Sequence, residues 1–191
     1  MFSSFIDFSE NVSNNTRSFF DLNKKQQNYQ VIAENRGIFS KMLAVPEQIH
    51  ASNIKYIDQP GDYIGTDGLI TDNPDITLFL KVADCVPVYL YEPKSKLIGL
   101  VHSGWRGTAA GIVPNTINLM LEMGANKEEI SIFLGPAIGF CCYEVDGEVA
   151  NNFNNYSKRK MKSGKWKVGL HENICLQLTN MGILSTYIKK S

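Results

Sequence analysis

The chain has 191 residues, of which 43% are hydrophobic and 20% charged, and its 19 basic side chains balance its 19 acidic ones. A chain of this length can bury the core of one globular domain, so we expect residues 1–191 to form a single domain. A neutral chain lacks the long-range attraction that holds proteins on nucleic acids or anionic membranes. Its longest apolar runs are shorter than the ~20 residues that span a bilayer. The N-terminus has no secretory signal pattern and four cysteines are too few for a disulfide framework, so we predict a cytoplasmic protein with reduced thiols.

Hydrophobic patterning in the first half of the chain predicts one helix followed by strands. Apolar residues recur at helical spacing from Asn28 to Leu43, and Pro46 then denies a further turn its amide donor. Four later segments are rich in β-branched and aromatic residues, as strands are. These predicted strands are Asn53–Ile57, Ile76–Val82, Val86–Tyr91 and Leu97–His102, with a hairpin connection at 92–96.

Helical patterns are more prominent in the second half of the chain. An amphipathic helix is predicted over Thr108–Met123, ending at Gly124, and a last helix over Leu170–Met181. Asn126 has the residue type of a helix N-cap, and Ile130–Leu134 has the composition of a strand. Runs of strands with few helices predict an α+β fold, with a mixed, sandwich-like β-sheet core and flanking helices.

A basic run lies between the last predicted strand and the last predicted helix. Ser157–Lys167 contains six Lys and Arg residues among eleven. We interpret this run as a solvated loop or hairpin, because the neutral charge of the whole chain argues against nucleic-acid binding.

Two of the three histidines stand at the ends of predicted elements, and Cys85 lies between two strand-like runs. Two imidazoles and one thiolate suit Zn²⁺, and three protein ligands leave a fourth position for water or substrate. His50, Cys85 and His102 are 35 and 17 residues apart, however, and follow no local metal-binding spacing. Buried, hydrogen-bonded histidines and a buried cysteine therefore remain an alternative. We place His171 outside this set, as a surface or capping residue.

Two further segments offer polar groups beside glycines. The corner 103–108 joins a strand to a helix, and Arg106 there is either an anion-binding group or a partner for a carboxylate. Asp67 precedes Gly68 and is either an acid–base group or a turn acceptor, with the adjacent glycine favouring the turn.

A glycine-rich loop follows the predicted strand Ile130–Leu134 and carries two adjacent thiols and a phenol. Such a loop can line a ligand pocket with its backbone amides and with Cys141 or Cys142. Adjacent side chains on extended backbone point in different directions, so we do not expect these two thiols to chelate one metal together. A turn with one buried thiol is an equally good interpretation of this loop.

Five ordered motifs together resemble the laccase-domain family, long called polyphenol oxidases. Several members of that family are described as purine nucleoside phosphorylases with adenosine deaminase activity. The motifs are Gln48-Ile-His50, Thr66-Asp-Gly-Leu-Ile-Thr71, Ala83-Asp-Cys-Val-Pro-Val88, Val101-His-Ser-Gly-Trp-Arg-Gly-Thr108 and Gly135-Pro-Ala-Ile-Gly-Phe-Cys-Cys-Tyr-Glu-Val145.

The resemblance implies an α+β fold and a zinc-dependent enzyme acting on purine nucleosides and inorganic phosphate, as a monomer or homodimer. It implies phosphorolysis of adenosine, inosine and S-methyl-5′-thioadenosine, and hydrolytic deamination of adenosine to inosine. The site residues that it implies are His50, Cys85 and His102 for the metal, Arg106 and Asp84 for catalysis, and Gly135, Cys142 and Tyr143 for the substrate.

Two alternatives and one departure accompany this resemblance. Copper-dependent oxidation of phenols normally needs more histidines than the three present here, and a non-catalytic zinc-binding interaction domain is the other alternative. The family's closing strand with its arginines has no counterpart in the sequence around Ile188–Ser191. We therefore expect a C-terminally short domain with an open sheet edge, weaker turnover and a tendency to associate.

Overall fold

A mixed six-stranded β-sheet runs through the centre of residues 42–190, the part of the chain that the computed structural model describes. In spatial order the strands are β12 (Ile188–Lys190), β8 (Ser131–Leu134), β6 (Val86–Glu92), β7 (Leu97–Ser103), β4 (Gly68–Thr71) and β2 (Ile54–Tyr56). The inner pairs β4–β7, β7–β6 and β6–β8 are antiparallel, and the two edge strands pair in parallel with their neighbours.

Two smaller sheets complete the β structure of the described residues. In one, three parallel strands lie in the order β3 (Gly61–Tyr63), β1 (Leu43–Pro46) and β5 (Thr77–Leu78). In the other, three antiparallel strands lie in the order β10 (Lys158–Lys160), β11 (Trp166–Val168) and β9 (Glu144–Val145).

Four α-helices and three short 3₁₀ turns connect the described strands. The α-helices are α1 (Trp105–Ala109), α2 (Ile112–Glu122), α3 (Gly147–Ala150) and α4 (Leu170–Asn180), and the 3₁₀ turns are Lys127–Glu129, Asn155–Ser157 and Ser185–Tyr187. Within residues 42–190, no helix has the length and apolar composition needed to cross a bilayer.

The six-stranded sheet carries apolar side chains on both faces. Leu170, Ile174 and Leu178 recur at helical spacing along α4 and are buried with the sheet residue Ile70 in the main core. The adjacent residue Leu69 belongs to a separate cluster with residues of β1 and of the loops beside it. Because successive strand residues point to opposite faces, β4 separates the two clusters. The predicted α+β fold with a mixed sheet core and flanking helices is thus confirmed.

The predicted helix Thr108–Met123 is in fact two helices. Gly111 has a φ of 73°, and α1 ends and α2 begins at this left-handed residue. A glycine adopts this conformation without the steric cost that a Cβ would bring. The apolar spacing of the segment predicted one continuous helix because it does not record the backbone conformation at Gly111. As a result, Arg106 lies inside the short helix α1 rather than in a turn before it.

Two other predicted elements have different bounds. Of the predicted strand Ile76–Val82, only Thr77 and Leu78 pair with a neighbouring strand. The predicted helix Asn28–Leu43 lies outside the described residues except at its C-terminal end, where Leu43 begins β1 instead. Pro46 therefore ends a strand and not a helix.

Beyond α4, the chain forms a further strand that the sequence analysis did not predict. β12 pairs in parallel with β8, with Ile188 opposite Ile132. The basic run forms the predicted hairpin, in which Lys158 pairs with Val168.

The β6–β7 hairpin turns around a buried carboxylate. Glu92 ends β6, and its carboxylate accepts the backbone amides of Lys94 and Ser95 at 3.2 and 2.7 Å and the Ser95 hydroxyl. Burial acts to raise the pKa of Glu92, but the hydrogen bonds from Ser95 and Lys94 and the Lys94 charge hold that pKa below its usual value. The ionised carboxylate therefore stabilises the folded hairpin at neutral pH.

Replacing Glu92 with glutamine should lower the free energy of unfolding by about 1–3 kcal/mol at neutral pH, because a buried amide group loses part of this hydrogen bonding. Since the pKa of Glu92 is lower in the folded protein than in the unfolded chain, its stabilisation is present above about pH 4.3 and is lost as the pH falls. Urea unfolding of wild type and Glu92→Gln at several pH values measures the difference. Glu148→Gln, at an exposed carboxylate, is the control, and a difference that does not shrink in acid would contradict this role.

Candidate metal centre

The candidate site lies where three strands of the central sheet begin or end. In the β4–β7 pair Gly68 lies opposite Val101, and the His102 amide donates to the Asp67 carbonyl at 2.7 Å. In the β6–β7 pair Val86 lies opposite Ser103. Cys85, which precedes β6, is thereby brought to the end of β7.

Three potential metal ligands meet at this end of the sheet. One donor atom from each of His50, Cys85 and His102 lies within 4.8 Å of the other two. The two imidazole rings are 4.7 Å apart between centroids and nearly perpendicular, at 86°. His102 is buried, Cys85 is half-buried and His50 is exposed, so the group opens to solvent on the His50 side.

His50 belongs to the loop between β1 and β2. Its φ of 61° is unusual for a residue with a side chain, and hydrogen bonds hold the loop in this conformation. The amides of His50 and Ala51 donate to Oδ1 and Oδ2 of Asp67, both at 2.8 Å. The Gln48 side chain accepts from the Lys81 amide at 2.8 Å and donates to the Lys81 carbonyl, which ties this loop to the segment before Cys85.

Asp67 also fixes the second imidazole. Asp67 is fully buried, and its Oδ1 lies 2.9 Å from Nδ1 of His102. Burial lowers the pKa of His102, as does the nearby His50 ring, while the Asp67 hydrogen bond opposes them. We assign the proton of the neutral ring to Nδ1, which leaves the Nε2 lone pair for a metal ion.

Cys85 contributes a half-buried thiol. Burial raises its pKa, and the charges of Asp84 and Asp67 act in the same direction. A metal ion would displace this proton, since the thiolate is the ligand form. Gly104 allows the close packing here, because a Cβ at that position would lie 3.0 Å from the Cys85 sulfur and 3.4 Å from the His50 ring.

The donor set and its spacing fit a zinc ion. Bonds of about 2.0–2.3 Å place the donors of a tetrahedral zinc ion roughly 3.5 Å apart, so small side-chain movements would bring the three donor atoms into that geometry. The buried carboxylate behind His102 is the kind of partner that metal-binding histidines usually have.

The two predicted catalytic residues are exposed beside this group. The Arg106 guanidinium lies over the Trp105 ring, 4.3 Å from its centroid. Burial raises the pKa of Tyr143, as do the charges of Cys85 and Asp84, and the charge of Arg106 opposes them. The charges of Cys85, Asp84 and Arg106 therefore all act on the Tyr143 hydroxyl.

The other predicted substrate residues lie on the loop between β8 and β9. The Gly135 amide donates to the Pro87 carbonyl at 2.9 Å, and the Gly135 carbonyl lies 3.0 Å from Nε2 of His171. His171 is thus half-buried against this loop and not a free surface residue. Cys142 is exposed, and its sulfur lies 3.0 Å from that of Cys141, so the expectation that the adjacent thiols point apart is wrong.

Asp67 is the residue whose role the sequence analysis underestimated. The adjacent glycine favoured a simple turn, whereas the carboxylate accepts hydrogen bonds from two backbone amides and one imidazole. The apolar residues Leu69 and Ile70 that follow it were the available signal, but only the strand register places Asp67 opposite His102.

The comparisons with known proteins define the class of this fold and site. The family described as multi-copper polyphenol oxidoreductase laccase matches residues 9–191. The chain therefore belongs to this laccase-like family, as its motifs predicted.

Relatives within the family carry enzyme names. Purine nucleoside phosphorylase YlmD of Geobacillus stearothermophilus is 32% identical over 182 residues, which cover 82% of this chain and 66% of that protein, just under two thirds of its length. A purine nucleoside phosphorylase of Bacteroides thetaiotaomicron is 32% identical over 184 residues, covering 87% of this chain and 68% of the relative.

Solved structures share the fold. The crystal structure of YlmD from Geobacillus stearothermophilus superimposes with a TM-score of 0.80 at 32% identity, covering 86% of this chain and 67% of the other. That of the Bacillus licheniformis hypothetical protein YfiH gives the same TM-score and identity, covering 86% and 68%.

Asp67→Asn should weaken zinc binding by about 10- to 100-fold, the usual effect of removing a carboxylate that orients a metal-binding histidine. The amide lacks the negative charge and can no longer accept from all three donors. Competition with a chromophoric chelator measures the affinity, and circular dichroism checks that the variant is folded. Asp75→Asn, at an exposed carboxylate, should bind like wild type, and an equal affinity in folded Asp67→Asn would exclude the orienting role.

Proposed function

We propose that this chain is a zinc-dependent purine nucleoside phosphorylase that also deaminates adenosine to inosine. The substrates are adenosine, inosine and S-methyl-5′-thioadenosine together with inorganic phosphate, and the enzyme acts in the cytoplasm as a monomer or homodimer. The observation that carries the proposal is the half-open group of His50, Cys85 and His102 beside Arg106 and Tyr143. The phosphorylase names of its relatives support the same reaction class.

Phosphorolysis needs an anion held against the ribose. A phosphate oxygen forms a bond to C1′ while the bond from C1′ to the purine nitrogen breaks, and the departing base takes up a proton. The exposed Arg106 guanidinium, held over Trp105, presents a planar set of donors that matches a phosphate. We assign to Asp84 the delivery of the proton that the departing purine takes up.

The loop between β8 and β9 supplies the substrate contacts in this proposal. The Tyr143 ring is half-buried next to the metal group and offers a flat face to a purine. In this proposal the Gly135 backbone and the Cys142 thiol, which belong to the same loop, make the remaining contacts with the substrate.

Deamination uses the metal group more directly. A zinc ion supplies an activated water for attack at C6 of adenosine when it is bound. Asp67 holds His102 in the tautomer that this requires. We assign to Asp84, the exposed residue directly before Cys85, the delivery of a proton to the departing ammonia.

We propose zinc rather than the copper that the family's description names. Multi-copper oxidation of phenols depends on several metal centres rich in histidine. The whole chain has three histidines, and one of them, His171, is bonded to the Gly135 carbonyl. The remaining two, with one cysteine, suit a single zinc ion with an open coordination position.

Purified protein should carry about one zinc ion per chain, because the three donors form one site. Cys85→Ala should lose this zinc, since it removes the only thiolate of the group. Elemental analysis measures the content, and Cys141→Ala is the matched control outside the group. Full occupancy in Cys85→Ala together with loss in Cys141→Ala would show that the ligand assignment is wrong.

Arg106→Lys should lower phosphate-dependent release of adenine from adenosine by about 10- to 1,000-fold, the range for losing one positioned transition-state donor. The lysine keeps the charge but loses the planar fork of donors. Chromatography of reactions with and without phosphate separates adenine, inosine and hypoxanthine and so reports each activity.

Arg159→Lys is the matched control, since Arg159 also lies over an aromatic ring but has no role in the proposed phosphorolysis. Unchanged rates in both Arg106→Lys and Arg106→Ala would make Arg106 structural. Zinc-loaded wild type that turns over none of these nucleosides would instead favour a non-catalytic interaction domain.

A further inference from the structure

The loop between β8 and β9 holds two neighbouring thiols that the metal group does not use. Cys141 and Cys142 are both exposed, and their sulfur atoms lie 3.0 Å apart. A tight turn brings them together, because the amides of Cys142 and Tyr143 both donate to the Gly139 carbonyl, at 2.9 and 3.0 Å. The backbone is therefore not extended here, and both side chains project from the same side of the loop.

Two basic side chains lie near the loop that carries these thiols. The Arg159 guanidinium lies over the neighbouring Phe140 ring, 5.7 Å from its centroid, and Lys167 is bonded to Glu144 at 2.7 Å. Hydrogen bonding and charge from Cys141 raise the pKa of Cys142, and the charge of Lys167 opposes this. The sulfur atoms are thus exposed to an external disulfide, and basic side chains nearby would attract a negatively charged one.

We propose that Cys141 and Cys142 form a reversible dithiol–disulfide site that is oxidised by a low-molecular-weight, carboxylate-bearing disulfide. One thiolate attacks the external disulfide, which forms a mixed disulfide and releases one small thiol. The second thiolate then attacks the protein sulfur of that mixed disulfide and releases the other small thiol. Two protein thiols are oxidised, one external disulfide is reduced, and the two protons pass to the released thiols.

The geometry of neighbouring residues makes this disulfide easy to reduce. Consecutive Cα atoms are about 3.8 Å apart across a trans peptide bond, whereas disulfides usually span about 4.4–6.8 Å between Cα atoms. The strain favours the dithiol and therefore makes the oxidised state reversible. The site is well placed for regulation, because the same loop bonds to the segment carrying Asp84 through the Ile138 amide, at 3.0 Å.

The test needs no nucleoside and so does not depend on the proposed function. Fully reduced protein is treated with oxidised glutathione, alkylated and digested with trypsin. Trypsin cleaves after Lys127 and Lys158 with no Lys or Arg between them, so the peptide 128–158 contains only these two cysteines. We expect this peptide to lose the mass of two hydrogens without retaining glutathione, and dithiothreitol to restore it.

The variants distinguish this disulfide from simple glutathione addition. Cys141→Ser and Cys142→Ser should each retain one glutathionyl group on the remaining thiol, because the resolving cysteine is missing. Cys175→Ser, which removes a half-buried thiol elsewhere, should form the disulfide like wild type. A stable adduct on wild type, no reaction of the peptide 128–158, or a disulfide linking this peptide to Cys85 or Cys175 would each overturn the proposal.

Discussion

The antiparallel register of β7 with its two neighbours is the constraint on which the site depends. It sets Asp67 opposite His102 on one side and brings Cys85 to the end of β7 on the other. The same pairing buries Ile70 and Val101 in the main core. A slip of one residue would turn these side chains to the opposite face, so the apolar core and the donor geometry are fixed together.

The second constraint is electrostatic. A fully buried carboxylate is costly unless its oxygens are hydrogen-bonded, and Asp67 meets this condition with the amides of His50 and Ala51 and the His102 ring. One buried group thereby holds both histidines, one through its backbone and the other through its side chain. Exposure increases from His102 through Cys85 to His50, so the site is buried at its base and open at its rim.

Local patterns predicted elements well where one face of the segment is buried throughout. The strands β6 and β7 and the helix α4 follow their predicted ranges to within about two residues, as expected for strongly patterned elements. The prediction was wrong where a single backbone conformation decides the outcome. Gly111 divides a continuous apolar pattern into two helices. A tight turn, closed by hydrogen bonds to the Gly139 carbonyl, directs Cys141 and Cys142 to the same side of the loop.

The sequence by itself determined the family, the fold class and the residue types of the candidate site. Ordered motifs and hydrophobic periodicity are properties of neighbouring residues, so they are readable without coordinates. Tertiary structure decided which of those residues meet. His50, Cys85 and His102 are far apart along the chain, and the spacing between them contains no information on strand register. The role of Asp67 likewise exists only once β4 pairs with β7, because that pairing alone brings its carboxylate against the His102 ring.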